Sequence, residues 1–379
     1  MERPMKLGMF MMPLHNPTRN LTDVLSEDRE AVILADSLGM AEAWCGEHIS
    51  STAEPIASSL MFFASMIEQT KSINFASGVL NLPQQHPSQV AAQVANFDHM
   101  SRGRYIMGIG PGGLVSDFEL LGLTDEKQRR AMMLEAIDVI HKIWDTEPGQ
   151  GYDIEGEHWP IKIKNGVLPH LGIGEICKPY QDPFPTVCLS IVSPHSSSAT
   201  MAAERGWQIV SANFIQARYI QSHWQAYQKG CDNVGRPSDS AVWRIARSIL
   251  VTDEPGEAED YIADPNGGLS FYFSYFMDLY RSRGILKMLK PDLDVSDDDL
   301  KLDDVIRSMV TFGDANGVLD QLVDLCEQWG DFGTLLMVGH DWDNAPLWRR
   351  SMTLLAEDVI PRLNQHLASR PAADKSVAE

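Results

Sequence analysis

Short apolar runs alternate with longer stretches of helical period along most of this chain. Residues 7–12 are apolar and stop at Pro13, the pattern of a first strand. Residues 26–38 carry helix signals: Ser26 as cap, acids in the first turn and Gly39 just past the end. A second apolar run, 41–45, ends at Gly46, Glu47 and His48. The pattern then predicts a helix over 56–69, a strand over 73–82, a helix over 87–100, a strand over 104–108 and a long helix over 126–144. After a break it resumes with strand 185–192, helix 197–204, strand 208–213, helix 217–229 and strand 243–251. Helix 318–329, strand 333–338 and helix 347–363 close the series. Two stretches fall outside the beat. Residues 147–182, rich in Gly and Pro, read as an insertion or lid, and 254–304 holds the aromatic run FYFSYFMDLY and the acidic turn DVSDDD.

Strands that alternate with helices are parallel, because a parallel neighbour is reached only through a crossover. A doubly wound open sheet has the same beat. About eight strand–helix units with no GxGxxG after the first strand favour a closed (β/α)8 barrel of TIM type, an α/β fold, with insertions after its fourth and seventh strands. The expected organisation is one barrel domain over residues 1–365, interrupted near 147–182 and 254–304, with a disordered tail over 366–379.

Charge narrows the partners. Asp and Glu number 52 against 31 Lys and Arg, a net charge of −21 that makes nucleic acid and membrane surfaces poor partners. No apolar run is long enough for a membrane-spanning helix. The five cysteines are scattered with no CxxC pair, which suits a reducing cytosol, so a cytoplasmic location is expected. The opening MERPMKLGMFMMPLH lacks a small-residue cleavage site and reads as a strand, not a signal peptide.

In such a barrel the chemistry sits at the carboxyl ends of the strands. The residues there are His15, then Glu47 and His48, Asn81 and His86, the glycines of GIGPGG, Ser193, His195 and Ser196, Asn213, and finally His340 and Asp341. His48 directly follows a strand, where an imidazole serves as base, acid or donor near neutral pH or, alternatively, caps the next helix. His86, before Pro87, reads as a turn residue. A metal site built from Glu47, His48, His340 and Asp341 is the weaker alternative, since no tight pair such as HxH occurs, and no metal is expected. Gly108, Gly110, Gly112 and Gly113 let backbone approach a ligand closely or simply make a tight turn. The serines of 193–198 suit a phosphate at a helix N-terminus, or an ordinary cap. Arg129 and Arg130 open a helix, an unusual place for cations unless they face an anion.

Taken together, WCGEH (44–48), SGVLNLPQQHP (77–87) and DHMSRGRYIMGIGPG (98–112), in that order and spacing, resemble the bacterial luciferase-like flavin monooxygenases. FGTLLMVGHDWDNAPLWRRSMTLLAEDVIPRL (332–363) resembles that family's closing strand–helix unit. The likeness runs from about residue 5 to 363 and is nearest to the limonene-monooxygenase-like branch. It implies an oxidoreductase that takes reduced FMN as co-substrate from a separate NAD(P)H:flavin reductase. A flavin hydroperoxide formed with oxygen would then oxygenate a small, largely apolar organic substrate. A homodimer is the usual assembly among such proteins. The resemblance assigns catalysis to His48 and Glu47. It sets Gly78 and Val79 at a non-proline cis peptide beneath the isoalloxazine, with Asn81 and Gly110 as further cofactor contacts. Arg130 corresponds to an arginine that reaches the FMN phosphate, and Ser193, Ser196 and Ser197 to the phosphate loop. Two positions depart from luciferase itself: Gly110 stands where it has a reactive cysteine and Ile49 where it has a second histidine, so aldehyde-driven light emission is not expected.

Oxygen activation on a flavin needs a dry pocket. Met9, Met11, Trp44, Leu80 and residues 271–276 are apolar enough to wall one, and equally fit ordinary core positions. Such a pocket suits a terpene or a cyclic ketone. Two rival readings keep the fold: a deazaflavin-dependent hydride-transfer oxidoreductase, which would turn over without oxygen, and a non-catalytic flavin-binding homologue.

Overall fold

The computed structural model describes residues 4–370. Its core strands are β1 (Lys6–Met11), β2 (Glu42–Cys45), β3 (Asn74–Ser77), β4 (Tyr105–Gly110), β5 (Thr186–Ile191), β6 (Gln208–Ser211), β7 (Trp243–Thr252) and β8 (Thr334–Gly339). Each pairs with the next and β8 pairs with β1, so the sheet closes on itself as the expected (β/α)8 barrel. β4 and β8 are buried at every position, which is why they read as unbroken apolar runs and not as alternation.

The sequence pattern misplaced several boundaries. The first helix is Leu21–Ser37, capped by Asn20, whose side chain accepts from the Thr22 and Asp23 amides at 2.9 and 3.3 Å. Ser26, the expected cap, lies inside that helix and donates to the Thr22 carbonyl at 2.8 Å. The third strand stops at Ser77 and resumes only at Leu80–Asn81. An unforeseen strand, Val310–Asp314, pairs with the outer half of β7, Ser248 through Thr252. The second insertion is helical: Pro255–Ala263, Gly268–Ser282 and Leu302–Met309, with the aromatic run on the middle helix. The last helix is continuous in direction but passes through a π turn, Leu355–Val359, just before Pro361. That turn accommodates a residue with no amide hydrogen to give. Its final segment, Ile360–Ser369, takes up the start of the expected tail, and 371–379 lie outside the described residues.

The described residues gather into two compact units: 4–43 together with 191–370, and 44–190. In the first, the Arg244 guanidinium grips Glu42 with both ends, Nε to Oε2 at 2.6 Å and Nη2 to Oε1 at 2.9 Å. Both partners are buried, and Arg244 Nη1 also donates to Gln208 Oε1 at 2.5 Å and to the Val242 carbonyl at 3.3 Å, so the pair sits in a wider polar network. In the second, Phe63, Phe75, Phe97 and Tyr105 form a ladder of ring contacts 5.0 to 5.8 Å apart between helices and strands. The 147–182 insertion belongs to this unit and is tied down near its middle and at its C-terminal end. Glu135 accepts from the His158 and Trp159 amides, and Gln181 donates to Asp98 and to the Tyr105 carbonyl, each at 2.8 Å.

Candidate active site

Past the end of β2 the chain enters a cluster of ionisable groups. His48 Nδ1 lies 3.0 Å from Asp117 Oδ2, and its Nε2 lies 3.5 Å from Glu54 Oε2. Asp117 comes from the short helix Val115–Leu121, is fully buried, and accepts at Oδ1 from the Ser50 amide at 2.9 Å and from the Ser50 hydroxyl. Its carboxylate is thus held from one side and presented to the imidazole on the other. The His48 amide donates to the Ile56 carbonyl at 3.1 Å, so the ring is steered by carboxylates and does not cap a helix.

Glu47 points elsewhere. It is buried, and its Oε1 accepts from the Ser59 amide at 2.8 Å and hydroxyl at 2.7 Å. Burial pushes its carboxyl up to about 7, against the pull of the Ser59 bonds and of His48. Asn81 donates to the Glu47 carbonyl at 3.0 Å, fixing the backbone between strand end and histidine.

The Gly78–Val79 peptide is cis, as the resemblance implied. Here β3 and β4 approach so closely that side chains are excluded. A Cβ on Gly108 would stand 1.8 Å from the Ser77 carbonyl oxygen, and one on Gly110 would stand 2.5 Å from Val79 Cγ2. Gly110 is also the register partner of Asn81, so Glu47, Gly78, Val79, Asn81 and Gly110 form one contiguous group. Arg130 is not part of it. It is exposed on helix Glu126–Asp145, with Nη2 2.9 Å from Glu126 Oε1, while its neighbour Arg129 is buried over the Phe118 ring at 3.5 Å.

The serine loop belongs to the other unit. Ser196 caps helix Ser197–Glu204, accepting from the Ser198 amide at 3.3 Å, and Ser193 and Ser197 are exposed. His195 adopts a left-handed φ of 51° and its amide donates to Ser222 Oγ at 3.0 Å. Two further strand-end groups lie in this unit. His15 bridges Asp341 at 2.7 Å and Asp28 at 3.2 Å, with Arg19 also on Asp341. Burial opposes the charge of His15, but the two carboxylates outweigh it and raise the ring to about 9. His340 Nε2 meets Ser248 Oγ at 2.8 Å, Ser248 is held by Asn213, and burial lowers His340 to about 3, so it is neutral. His86 caps helix Pro87–Ser101. No group of His, Cys, Asp and Glu among the described residues is arranged to hold a metal.

Asp117 and Glu54 were not singled out from the sequence. The only available sign was an acid in the first turn of a seven-residue helix, too short to stand out by period.

The arrangement is that of a barrel enzyme with ionisable groups past its strand ends. A profile of the family described as luciferase-like monooxygenase matches residues 5–331, and the chain belongs to that family, as an oxidoreductase. Limonene 1,2-monooxygenase of Rhodococcus erythropolis is 30% identical over 366 residues, covering 96% of this chain and 88% of that one. The oxygenating constituent of 3,6-diketocamphane monooxygenase from Pseudomonas putida, solved in complex with FMN, superposes with a TM-score of 0.85 at 24% identity over 95% of this chain and 99% of that one. The coenzyme F420-dependent tetrahydromethanopterin reductase of Methanopyrus kandleri shares the fold less closely, with a TM-score of 0.66 at 16% identity over 95% of this chain and 100% of that one.

Proposed function

We propose that this chain uses reduced FMN and molecular oxygen to oxygenate a small, largely apolar organic substrate. Reduced flavin comes from a separate NAD(P)H:flavin reductase in the cytoplasm, and the protein works as a homodimer. The observation that carries the reading is His48, fixed at Nδ1 by buried Asp117 while Nε2 is only loosely approached by Glu54. An imidazole so held is oriented and still has one nitrogen able to exchange a proton.

The residues present fit FMN. In the unit of residues 44–190, Gly78 carries no side chain, which suits the close approach of a flat ring, while Val79 Cγ2 fills the space over Gly110. In the other unit, the exposed hydroxyls of Ser193 and Ser197 and the N-terminus of helix Ser197–Glu204 suit a phosphate dianion. Arg130, in the unit of residues 44–190, is paired at the surface with Glu126, a contact worth less than about 1 kcal/mol, so its guanidinium can turn to an anion.

When bound, reduced FMN supplies the electrons that activate oxygen. The protein does the rest. Asp117 accepts from the Nδ1–H of His48 and so leaves the lone pair on Nε2, the atom that takes or returns a proton at the reacting oxygen. Asn81 holds the Glu47 carbonyl, and Glu47 ties the segment to Ser59, so both keep His48 in place. Buried Trp44 and Leu80 help keep water out.

The deciding measurement supplies the protein with a flavin reductase, NADH, FMN and isotopically labelled oxygen, using limonene and cyclic monoterpene ketones as trial substrates. Labelled oxygen in the product is the expected result. Anaerobic turnover with reduced F420, and no label from oxygen, would overturn the reading in favour of hydride transfer.

A further inference from the structure

Helix Ile220–Asn233 packs unusually close to helix Ser197–Glu204. A Cβ on Gly230 would stand 2.2 Å from the Thr200 carbonyl oxygen, and Thr200 Oγ1 donates to the Ala226 carbonyl at 2.8 Å. The close approach brings two first-turn side chains of helix Ile220–Asn233 under the serine loop. Ser222, buried, donates to the Tyr219 carbonyl at 2.6 Å and accepts the His195 amide at 3.0 Å. His223, with no exposed surface, sets Nδ1 2.9 Å from Ser211 Oγ.

Proton bookkeeping narrows the state of that ring. Trp243 Nε1 can only donate, and it lies 2.9 Å from the same Ser211 Oγ. Ser211 therefore accepts from tryptophan and has its own hydrogen to give, and His223 Nδ1 is the acceptor within reach if the ring carries its proton on Nε2. Nε2 is buried with no partner in full hydrogen-bond geometry, and it faces the backbone of Ser193. Burial, with His195 adding to it, lowers His223 to about 4 despite the favourable Ser193 backbone, so it acts as a neutral donor.

We propose that His223 and Ser222 are positioning residues for a phosphate monoester at the 193–198 loop, holding Ser193 and His195 from beneath so that the Ser196 and Ser197 amides and the Ser197 hydroxyl stay turned outward. Those two amides have no acceptor among the described residues. The left-handed His195 backbone is part of the same arrangement: its amide is drawn back to Ser222, away from the side where an anion would sit. The inference rests on the FMN reading and adds which residues set its phosphate selectivity.

The test compares reduced FMN with reduced riboflavin, which differ only in the phosphate, by anaerobic titration of parent, His223→Ala, His223→Gln and Ser222→Ala. The parent should prefer FMN. His223→Ala should weaken FMN about tenfold and leave riboflavin nearly unchanged, because the ring-binding residues are untouched. His223→Gln, whose amide can still donate toward Ser193, should recover part of the preference. Ser222→Ala should erode it as well, and it carries the test if His223→Ala does not fold. An FMN preference kept intact in the folded alanine variants would overturn the inference while leaving the flavin reading standing. Equal loss of both flavins would overturn it too, as the mark of general unfolding. A parent that binds neither flavin would sink the FMN reading, and the inference with it.

Discussion

His48 and His15 each follow a barrel strand and each meets two carboxylates, one histidine in each compact unit. His15 is sealed: its side chain is 2% exposed, and Asp341 and Asp28 engage both ring nitrogens at 2.7 and 3.2 Å. His48 is 18% exposed, bonded firmly at one nitrogen and held at 3.5 Å from the other carboxylate. A ring with both nitrogens committed and its charge fixed is a clamp. A ring oriented through one nitrogen keeps the other for chemistry. The same residue types at equivalent strand ends therefore serve opposite ends, and sub-ångström differences in distance separate them.

The sharpest way to break the comparison is to remove both rings in turn. His48→Ala should cut coupled product between about tenfold and ~10⁴-fold, the range for a positioned acid or base. Reduced FMN should still bind, and more of the oxygen should end as hydrogen peroxide. Product, peroxide and Tm measured on one preparation decide it: a lowered Tm with normal coupling in the folded enzyme would make His48 structural. His15→Ala should do the reverse. It leaves Asp28 and Asp341 buried without the ring between them, Arg19 remaining on Asp341, a loss of about 3–5 kcal/mol in stability. Activity per folded molecule should persist, and its collapse at unchanged Tm would reassign His15 to the chemistry.

Titration sharpens the contrast further. The folded value of His15, about 9, lies above its ordinary 6.5. Its stabilising contribution is complete below about pH 6.5 and is lost as pH rises through 9, in total about 3 kcal/mol at 1.36 kcal/mol per unit. Glu47, raised to about 7, moves stability in the same direction but below that pH. Buried His340 and His223 oppose it only on the acid side, since their lowered values cost stability as pH falls below 6.5. Between pH 7 and 9 His15 gives up its stabilising proton, and Cys231 and Cys326, whose thiols burial pushes up, add in the same direction only near the top of that window. Parent Tm should fall across it, and His15→Asn should flatten the slope; equal slopes would remove His15 as the cause.

Much of this was legible in the chain. Strands β4 and β8 announced themselves because a parallel strand covered on both faces is apolar throughout. Glu47, His48, Asn81 and the glycines could be placed because they fall directly after such strands. Contacts made at long range left no local trace. Asp117 reaches His48 across 69 positions, and His223 lies beneath a loop nearly thirty residues earlier in sequence. Helix Val115–Leu121 and strand Val310–Asp314 were missed for a related reason: seven and five residues are too few to establish a period. Asn20 took the cap expected of Ser26 because two capping residues stood within one turn or two of each other, and periodicity does not rank them.

The smallest expected effect tests whether the two carboxylates beside His48 differ as their distances say. Asp117→Asn keeps an oxygen for the Ser50 amide, so the short helix stays docked, but it removes the charged acceptor from His48 Nδ1. The asparagine amide can only donate to that nitrogen if the ring shifts its proton to Nε2, the wrong atom for accepting one from the reacting oxygen. A hydrogen bond to a charged group is worth about 1.5–3 kcal/mol, so coupled product should fall roughly ten- to a hundredfold, with Tm little changed. Glu54→Gln should cost less, because at 3.5 Å its carboxylate makes no full hydrogen bond to Nε2. The two variants must be read as a ratio of product to peroxide, since a merely structural loss lowers both together. If Glu54→Gln proves the more damaging, Nε2 is the anchored nitrogen in the working enzyme and Nδ1 the one that moves the proton. If both are silent, orientation of His48 through its carboxylates is not what couples oxygen to product.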